Sequence, residues 1–274
     1  MSETILNKIF TAKRIRVEEA KRRVDPARLV DLALENRSVA ESYRLRTALQ
    51  GSGRINIIAE FKKASPSKGV INDSLDPATI AKAYKNGGAA AISVLTEEDF
   101  FKGSLEDLRT VRAVVDMPIL RKDFTFDPYQ IYEAAEAGAN AILLIAAMLN
   151  DDELLALISV AENELGMDAL VEVHTLEELE RVKRIGAKLI GVNNRNLNTF
   201  NVTLDTSREL IKAKPDGAIM ISESGLTRHD DLIELQGLGY AGFLIGETLM
   251  RSGDPETELK RLATEDTEFS QTNS

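Results

Sequence analysis

The chain has no cysteine among its 274 residues. Disulfides, thiolate catalysis and cysteine metal sites are therefore excluded. It has only two histidines, they do not cluster, and neither a His-Glu-x-x-His motif nor an EF-type acidic loop occurs. A metal site is not expected. No Gly-x-Gly-x-x-Gly follows an expected strand, so no dinucleotide cofactor is expected either. The first residues, MSETILNKIF, carry no apolar signal core, and no run approaches the roughly 20 apolar residues of a membrane span. The expected location is the cytoplasm. Positive charge is in deficit, with 34 Lys and Arg against 44 Asp and Glu and a net charge of −10. That counts against nucleic acid as the main partner, because phosphate backbones need a basic face. A small anionic ligand is still allowed, since a local cationic pocket can sit on an acidic protein.

What is present suits a folded α/β globule: 43% hydrophobic and 28% charged residues. The first 50 residues read as helix, with Ile5, Leu6, Ile9 and Phe10 at helical spacing and a break at Asp25-Pro26. The basic cluster Lys13, Arg14, Arg16, Lys21, Arg22 and Arg23 is either an anion-binding arm or a solvated helix face interleaved with Glu18 and Glu19. The solvated face is preferred. Gly51-Ser52-Gly53 reads as a hinge. From there the chain alternates. Strands are expected at 55–61, 89–95, 118–123, 139–145, 168–173, 188–193, 218–222 and 241–245, with capped helices between them, as at Asp76-Pro77, Asp127-Pro128 and Asn150.

The strands are near-continuous apolar runs, as expected when both faces are covered. Gly88, Gly138, Gly186 and Gly239 close helices just before alternate strands, at roughly 50-residue intervals, two βα units each. Eight such units predict a (β/α)8 TIM barrel over residues 51–264, with an N-terminal helical extension, 1–50, packed on it. An open doubly wound sheet is the competitor, but eight evenly spaced units without a weak edge strand favour closure. The tail, 265–274, is polar and aperiodic and is expected to be disordered.

Catalysis in such a barrel belongs at the C-terminal strand ends. The first strand, IIAEF, stops being apolar at Glu60, and Lys62 follows on the same face. An internal structural ion pair is one reading of these two. The alternative is a site, because the other ends are also polar: Thr96 to Asp99, Arg121-Lys122-Asp123, Glu172-Val173-His174, Asn193-Asn194-Arg195, Ser222-Glu223-Ser224-Gly225 and Gly246-Glu247. Only the fourth strand ends apolar, in Leu143, Leu144 and Ile145. The mouth thus combines cations, carboxylates and one apolar wall, which suits a ligand with an apolar ring and anionic groups.

The loops after strands seven and eight form the usual phosphate site of such barrels. Ser224-Gly225 and Gly246-Glu247 offer backbone N–H groups there, and a helix N-terminus beside strand eight would add its dipole. The Glu247 carboxylate is expected to turn away from the anion. His174 is expected to be a loop or capping residue rather than a base, and His229 a surface residue at a helix start.

Seven segments in order resemble one family: AEFKKASPSKG (59–69), LTEEDFFKGS (95–104), ILRKDF (119–124), LVEVH (170–174), IGVNNRNL (190–197), SESGL (222–226) and FLIGETLM (243–250). They are similar to the indole-3-glycerol phosphate synthases of tryptophan biosynthesis. That family converts 1-(2-carboxyphenylamino)-1-deoxyribulose 5-phosphate to indole-3-glycerol phosphate, CO2 and water, without metal or cofactor. The resemblance implies that Lys122 is the general acid and that Lys62 pairs with substrate anions and assists dehydration. It implies that Glu60 and Glu172 handle protons, with Asn193 and Arg195 orienting the site. Ser65 matches a serine of the first loop. Phe101, Phe124, Leu143 and Leu197 match an apolar pocket for the benzene ring, and Ser224, Gly225 and Gly246 match phosphate contacts. Some members carry Ser where this chain has Glu247, which removes any side-chain phosphate contact there but not the backbone one.

Two alternatives stand beside this reading. Another phosphate-binding barrel enzyme, such as phosphoribosylanthranilate isomerase, would need a Cys/Asp or paired-Asp acid–base set, and no Asp ends the first strand. A non-catalytic sugar-phosphate-binding barrel would keep the phosphate loops without needing Lys122 and Glu172. Nothing in the sequence indicates an association with another enzyme of the pathway.

Overall fold

The computed structural model describes residues 5–50, 53–66, 68–71, 75–197 and 199–264. Eight strands close into an all-parallel barrel: β1 (Ile57–Phe61), β2 (Ala91–Leu95), β3 (Ile119–Lys122), β4 (Ala141–Ile145), β5 (Asp168–Val173), β6 (Leu189–Asn193), β7 (Ile219–Glu223) and β8 (Gly242–Ile245). Each pairs with its sequence neighbours, and β1 pairs with β8 to complete the ring. The strands fall where the apolar runs predict them. The exception with consequences is β7, which continues one residue past Ser222 to Glu223. The (β/α)8 architecture is therefore present, and the open sheet is ruled out by the β1–β8 pairing.

Helices follow the strands, from Pro77–Asn86 to Pro255–Ala263. The expected caps form: the side chains of Asp76, Asp127 and Asn150 each accept from a backbone N–H of the helix they open. Gly88, Gly138, Gly186 and Gly239 all have φ between 85° and 114° or near it, at 76° for Gly186. Only glycine adopts that conformation without cost, so each helix can turn at once into the next strand.

Strand alternation splits the core in two. Ile58, Ala91, Leu120, Ala141, Leu143, Leu170, Leu189, Ile221 and Leu244 meet inside the barrel. Ile57, Ala59, Phe61, Ile92, Val94, Ile142, Leu144, Val171 and Val192 face the helix layer. Two residues beyond an inward residue points inward again. Glu60 thus follows Ile58, Lys122 follows Leu120, Glu172 follows Leu170, and Glu223 follows Ile221. The alternation that fills the barrel also aims these charges at its mouth.

Three N-terminal helices run from mouth to base. Helix α1 (Ile5–Arg23) lies over the mouth, α2 (Pro26–Ser38) packs beside Pro128–Glu136, and α3 (Arg44–Leu49) inserts Leu45 and Leu49 into the inner core. Asp168, fully buried at the start of β5, accepts from the backbone N–H groups of Leu45 and Arg46 and so caps α3. The solvated-face reading of the basic cluster fails at Lys13, which is 3% exposed and bonded to Asp123 and Glu98 at 3.1 and 3.2 Å. Arg16 pairs with Asp99 and Lys21 with Asp127. The carboxylates of the mouth loops thus draw in one side of α1. The expected hinge at residues 51–53 and the expected disordered tail fall largely or wholly outside the described residues.

Candidate active site

A cavity of about 900 Å³ opens at the C-terminal strand ends. Its walls include all fifteen residues singled out above: Glu60, Lys62, Ser65, Phe101, Lys122, Phe124, Leu143, Glu172, Asn193, Arg195, Leu197, Ser224, Gly225, Gly246 and Glu247. Ile5, Leu6 and Ile9 of α1 and Glu223 at the end of β7 also line it.

The charged floor is a chain of contacts. Lys62 Nζ donates to Glu60 Oε1 at 2.5 Å. Lys122 Nζ donates to Glu172 Oε2 at 3.3 Å and lies 3.6 Å from Glu223 Oε2. Burial alone would lower the Lys122 pKa, but Glu172, Glu223 and Glu60 outweigh it and raise the pKa, so the ammonium is held charged. Burial pushes the Glu172 carboxyl up, yet Lys122, His174 and a hydrogen bond from Asn193 bring it below the ordinary value. Glu223 goes the other way. Burial, with Glu172 and Glu60 nearby, pushes it up to about 8 against the pull of Lys122, so it is protonated at neutral pH. Two neighbouring carboxyl groups thus hold different protonation states, the pattern expected of an acid–base site.

Glu223 is the residue that sequence reasoning missed. It stands among the polar strand ends, but the apolar run of the seventh strand ends at Ser222 and the expected phosphate turn begins at Ser224. The available signal was the one that singled out Glu60, a carboxylate at inward parity closing an apolar run. Two glycines make room for these groups. A Cβ on Gly191 would overlap the Glu223 carboxylate, and one on Gly246 would overlap that of Glu60.

The rest of the cavity divides into an apolar side and a cationic rim. Phe101 and Phe124 pack with ring centroids 6.0 Å apart, beside Leu143 and Leu197. Phe101 is placed by the buried Glu97 carboxylate, which accepts from the backbone N–H groups of Asp99, Phe100 and Phe101. Ser65 lies in a two-residue ladder that pairs with Gly69. Ser224 and Gly225 have φ of 69° and 79°, a tight left-handed turn at the cavity edge. The Glu247 carboxylate does not turn from the cavity as expected. It sits 3.7 Å from Lys68, 3.9 Å from Arg195 and 3.3 Å from Arg251, drawn in by three cations. The helix it begins, Glu247–Arg251, is only five residues long.

His174 lies, as expected, on the short turn between β5 and the next helix, but its ring is buried there, wedged between Glu172 and Glu178. His229 does begin a helix, and its Nδ1 lies 2.9 Å from the Leu262 carbonyl oxygen. Among the described residues, no group of three or more His, Asp or Glu is arranged to hold a metal ion, and no helix is long and apolar enough to cross a membrane.

The fold alone is widely shared. A 3-hexulose-6-phosphate synthase from Salmonella typhimurium superposes with a TM-score of 0.61 at 11% identity, covering 76% of this chain and 96% of that one. An N-acetylmannosamine-6-phosphate 2-epimerase from Clostridium perfringens gives 0.56 at 19%, covering 72% and 87%. Sequence relatives are more specific. The chain is 49% identical over 261 residues to an indole-3-glycerol phosphate synthase from Carboxydothermus hydrogenoformans, covering 94% of this chain and 98% of that protein. It is 46% identical to one from Neisseria meningitidis serogroup C, with the same coverage. The family profile named indole-3-glycerol phosphate synthase matches residues 6–262, which takes in the N-terminal helices as well as the barrel and every strand end that faces the cavity. The chain therefore belongs to the indole-3-glycerol phosphate synthase family.

Proposed function

We propose that this chain closes, decarboxylates and dehydrates 1-(2-carboxyphenylamino)-1-deoxyribulose 5-phosphate by general acid–base catalysis, with no metal or cofactor. The observation that carries the reading is the pair of ammonium groups, Lys62 and Lys122, each held by carboxylates and sharing one cavity with the Phe101–Phe124 wall.

The ring carbon that bears the carboxylate attacks the ketone carbon. The carbonyl π electrons move to oxygen, and the Lys122 ammonium supplies the proton that makes it a hydroxyl. CO2 then leaves, and the electrons of its carbon–carbon bond return to the ring. The hydroxyl departs as water with a proton delivered by Lys62, while a carboxylate takes the proton whose loss completes the indole. Glu172 and Glu60 fit that last role and offset the positive charge that develops on the anilino nitrogen. Glu223, protonated beside Lys122, can return the proton that Lys122 gave up. Asn193 fixes Glu172, and Arg195 meets the substrate from the rim.

The benzene ring takes the wall of Phe101, Phe124, Leu143 and Leu197. The phosphate takes the turn at Ser224 and Gly225, the backbone at Gly246 and Glu247, and the nearby Lys68 and Arg195. Ser65 closes the first loop over the sugar. The reading places the enzyme in the cytoplasm, acting on a small phosphorylated substrate.

The test is direct because the chain has no tryptophan. Indole fluorescence from the purified protein supplied with this substrate therefore reports product alone. Fluorescence should rise without added metal and continue in EDTA. Loss of signal in EDTA would overturn the metal-free reading. Substrate binding without any fluorescence would favour a sugar-phosphate-binding barrel.

A further inference from the structure

His174 is absent from the cavity lining yet touches it through Glu172. It lies two residues beyond Glu172, so both side chains leave the chain on one side. Its Nε2 is 3.4 Å from Glu172 Oε1, and its Nδ1 is 3.5 Å from Glu178 Oε2. The His174 backbone N–H donates to that same Glu178 oxygen at 2.6 Å, which ties the helix Leu176–Arg184 to the strand end. The His174 side chain is 10% exposed, and both ring nitrogens are shut off from solvent.

A neutral imidazole has one N–H and one lone pair. Between two carboxylates its lone pair would face an anion in a dry site, which is unfavourable on both counts. The imidazolium presents an N–H to each side. The titratable groups around it are Glu172 on β5, Glu178 on the helix that follows and the protonated Glu223 on β7, with Lys122 of β3 on the far side of Glu172.

We propose that His174 is a positioning residue: as an imidazolium it bridges Glu178 to Glu172 and holds the Glu172 carboxylate ionised and aimed at Lys122. The inference rests on the acid–base role given to Glu172 above. It matches the direction of titration. Burial would lower the His174 pKa, but Glu178 and Glu172 raise it above the usual 6.5. Glu172 is correspondingly held below its ordinary value by Lys122 and His174. Because His174 does not line the cavity, its effect passes through the carboxylate.

Two histidines make the titration readable by proton NMR on the full chain, with His229→Gln assigning the ring signals. The His174 ring proton should titrate above the ordinary 6.5 in the wild type, and Glu178→Gln should lower that midpoint. A wild-type midpoint at or below 6.5 would overturn the proposal, and this arm requires neither turnover nor a His174 variant. The second arm is kinetic. In His174→Gln the acid limb of the kcat profile should move up by about one pH unit, a tenfold loss on the acid side, with the alkaline limb unmoved. The sign follows because Glu172 must be ionised, and losing the neighbouring cation raises its pKa. An unmoved acid limb, or an equal loss at every pH, would also overturn it. Absence of turnover in the wild type would instead refute the enzymatic reading and leave the NMR arm to decide His174.

Discussion

Strand β3 carries two buried charge clusters on adjacent residues, and they differ in how completely they are satisfied. Arg121 points into the helix layer. Its guanidinium donates to Thr96 Oγ1, the Gln130 carbonyl, Glu133 and Asp123, at distances of 2.7 to 3.1 Å. Asp123 also accepts from Thr96, Lys13 and the Phe124 N–H, and its carboxyl is held down at about 2 although burial opposes this. None of these side chains has a buried polar atom without a partner. Lys122 points inward, to a cluster where Glu223 Oε1 lacks a hydrogen bond and where one carboxyl is protonated at neutral pH. A buried ion network with every partner in place is a structural joint. One with unfilled valence beside a cavity is poised for a ligand.

This contrast can be broken most sharply by exchanging the two kinds of damage. Lys122→Met should cut kcat by about 100- to 10,000-fold while the protein stays folded, the scale expected for losing a general acid. Near-normal turnover in the fluorescence assay would remove Lys122 from that role. Lys13→Met should act on the other observable. It leaves Asp123 and Glu98 short of a cation, and breaking a buried pair this way costs about 3–5 kcal/mol of stability. Urea denaturation checks this, and a loss below about 1 kcal/mol would mean that the α1 joint is dispensable.

A smaller effect sharpens the site cluster. Glu223 has a folded pKa raised from an ordinary 4.5 to about 8. A raised folded pKa gives stability that is full below the unfolded value and lost as pH rises through the folded one. Wild-type stability should therefore decline between about pH 4.5 and 8 relative to Glu223→Gln, whose side chain never ionises. Parallel pH–stability curves for the two proteins would show that Glu223 is already charged in the fold. The smallest effect belongs to the half-exposed Arg16–Asp99 pair, with its solvent-screened contact. Arg16→Ala should change stability by less than about 1 kcal/mol in a thermal melt. A larger loss would extend the α1 joint beyond Lys13.

Much of the site was legible because a charge that ends an apolar run is conspicuous. Glu60 and Glu172 each break such a run, Lys122 follows Arg121 at the end of another, and the structure brings all three to one cavity. Glu223 does the same, but Ser222 before it ends the expected strand one residue short. Lys13 reads as solvated, and the burial of the His174 ring goes unsignalled, for another reason. Each sits in a locally polar stretch, where exposure is the natural inference. What buries them is distant in sequence or lies across a turn: Asp123 and Glu98 for Lys13, Glu178 and Glu172 for His174.

The eight βα units, their caps and glycine stops, and the polar strand ends that face one mouth can all be read along the chain. These are local signals, written in periodicity and in single residues at fixed offsets. Tertiary structure alone decided which charges are joints and which are poised, because a pKa depends on the neighbours that closure brings together. The barrel's curvature sets Glu172 and Glu223 around Lys122, and the path of α1 delivers Lys13 to Asp123. No spacing along the chain encodes either meeting.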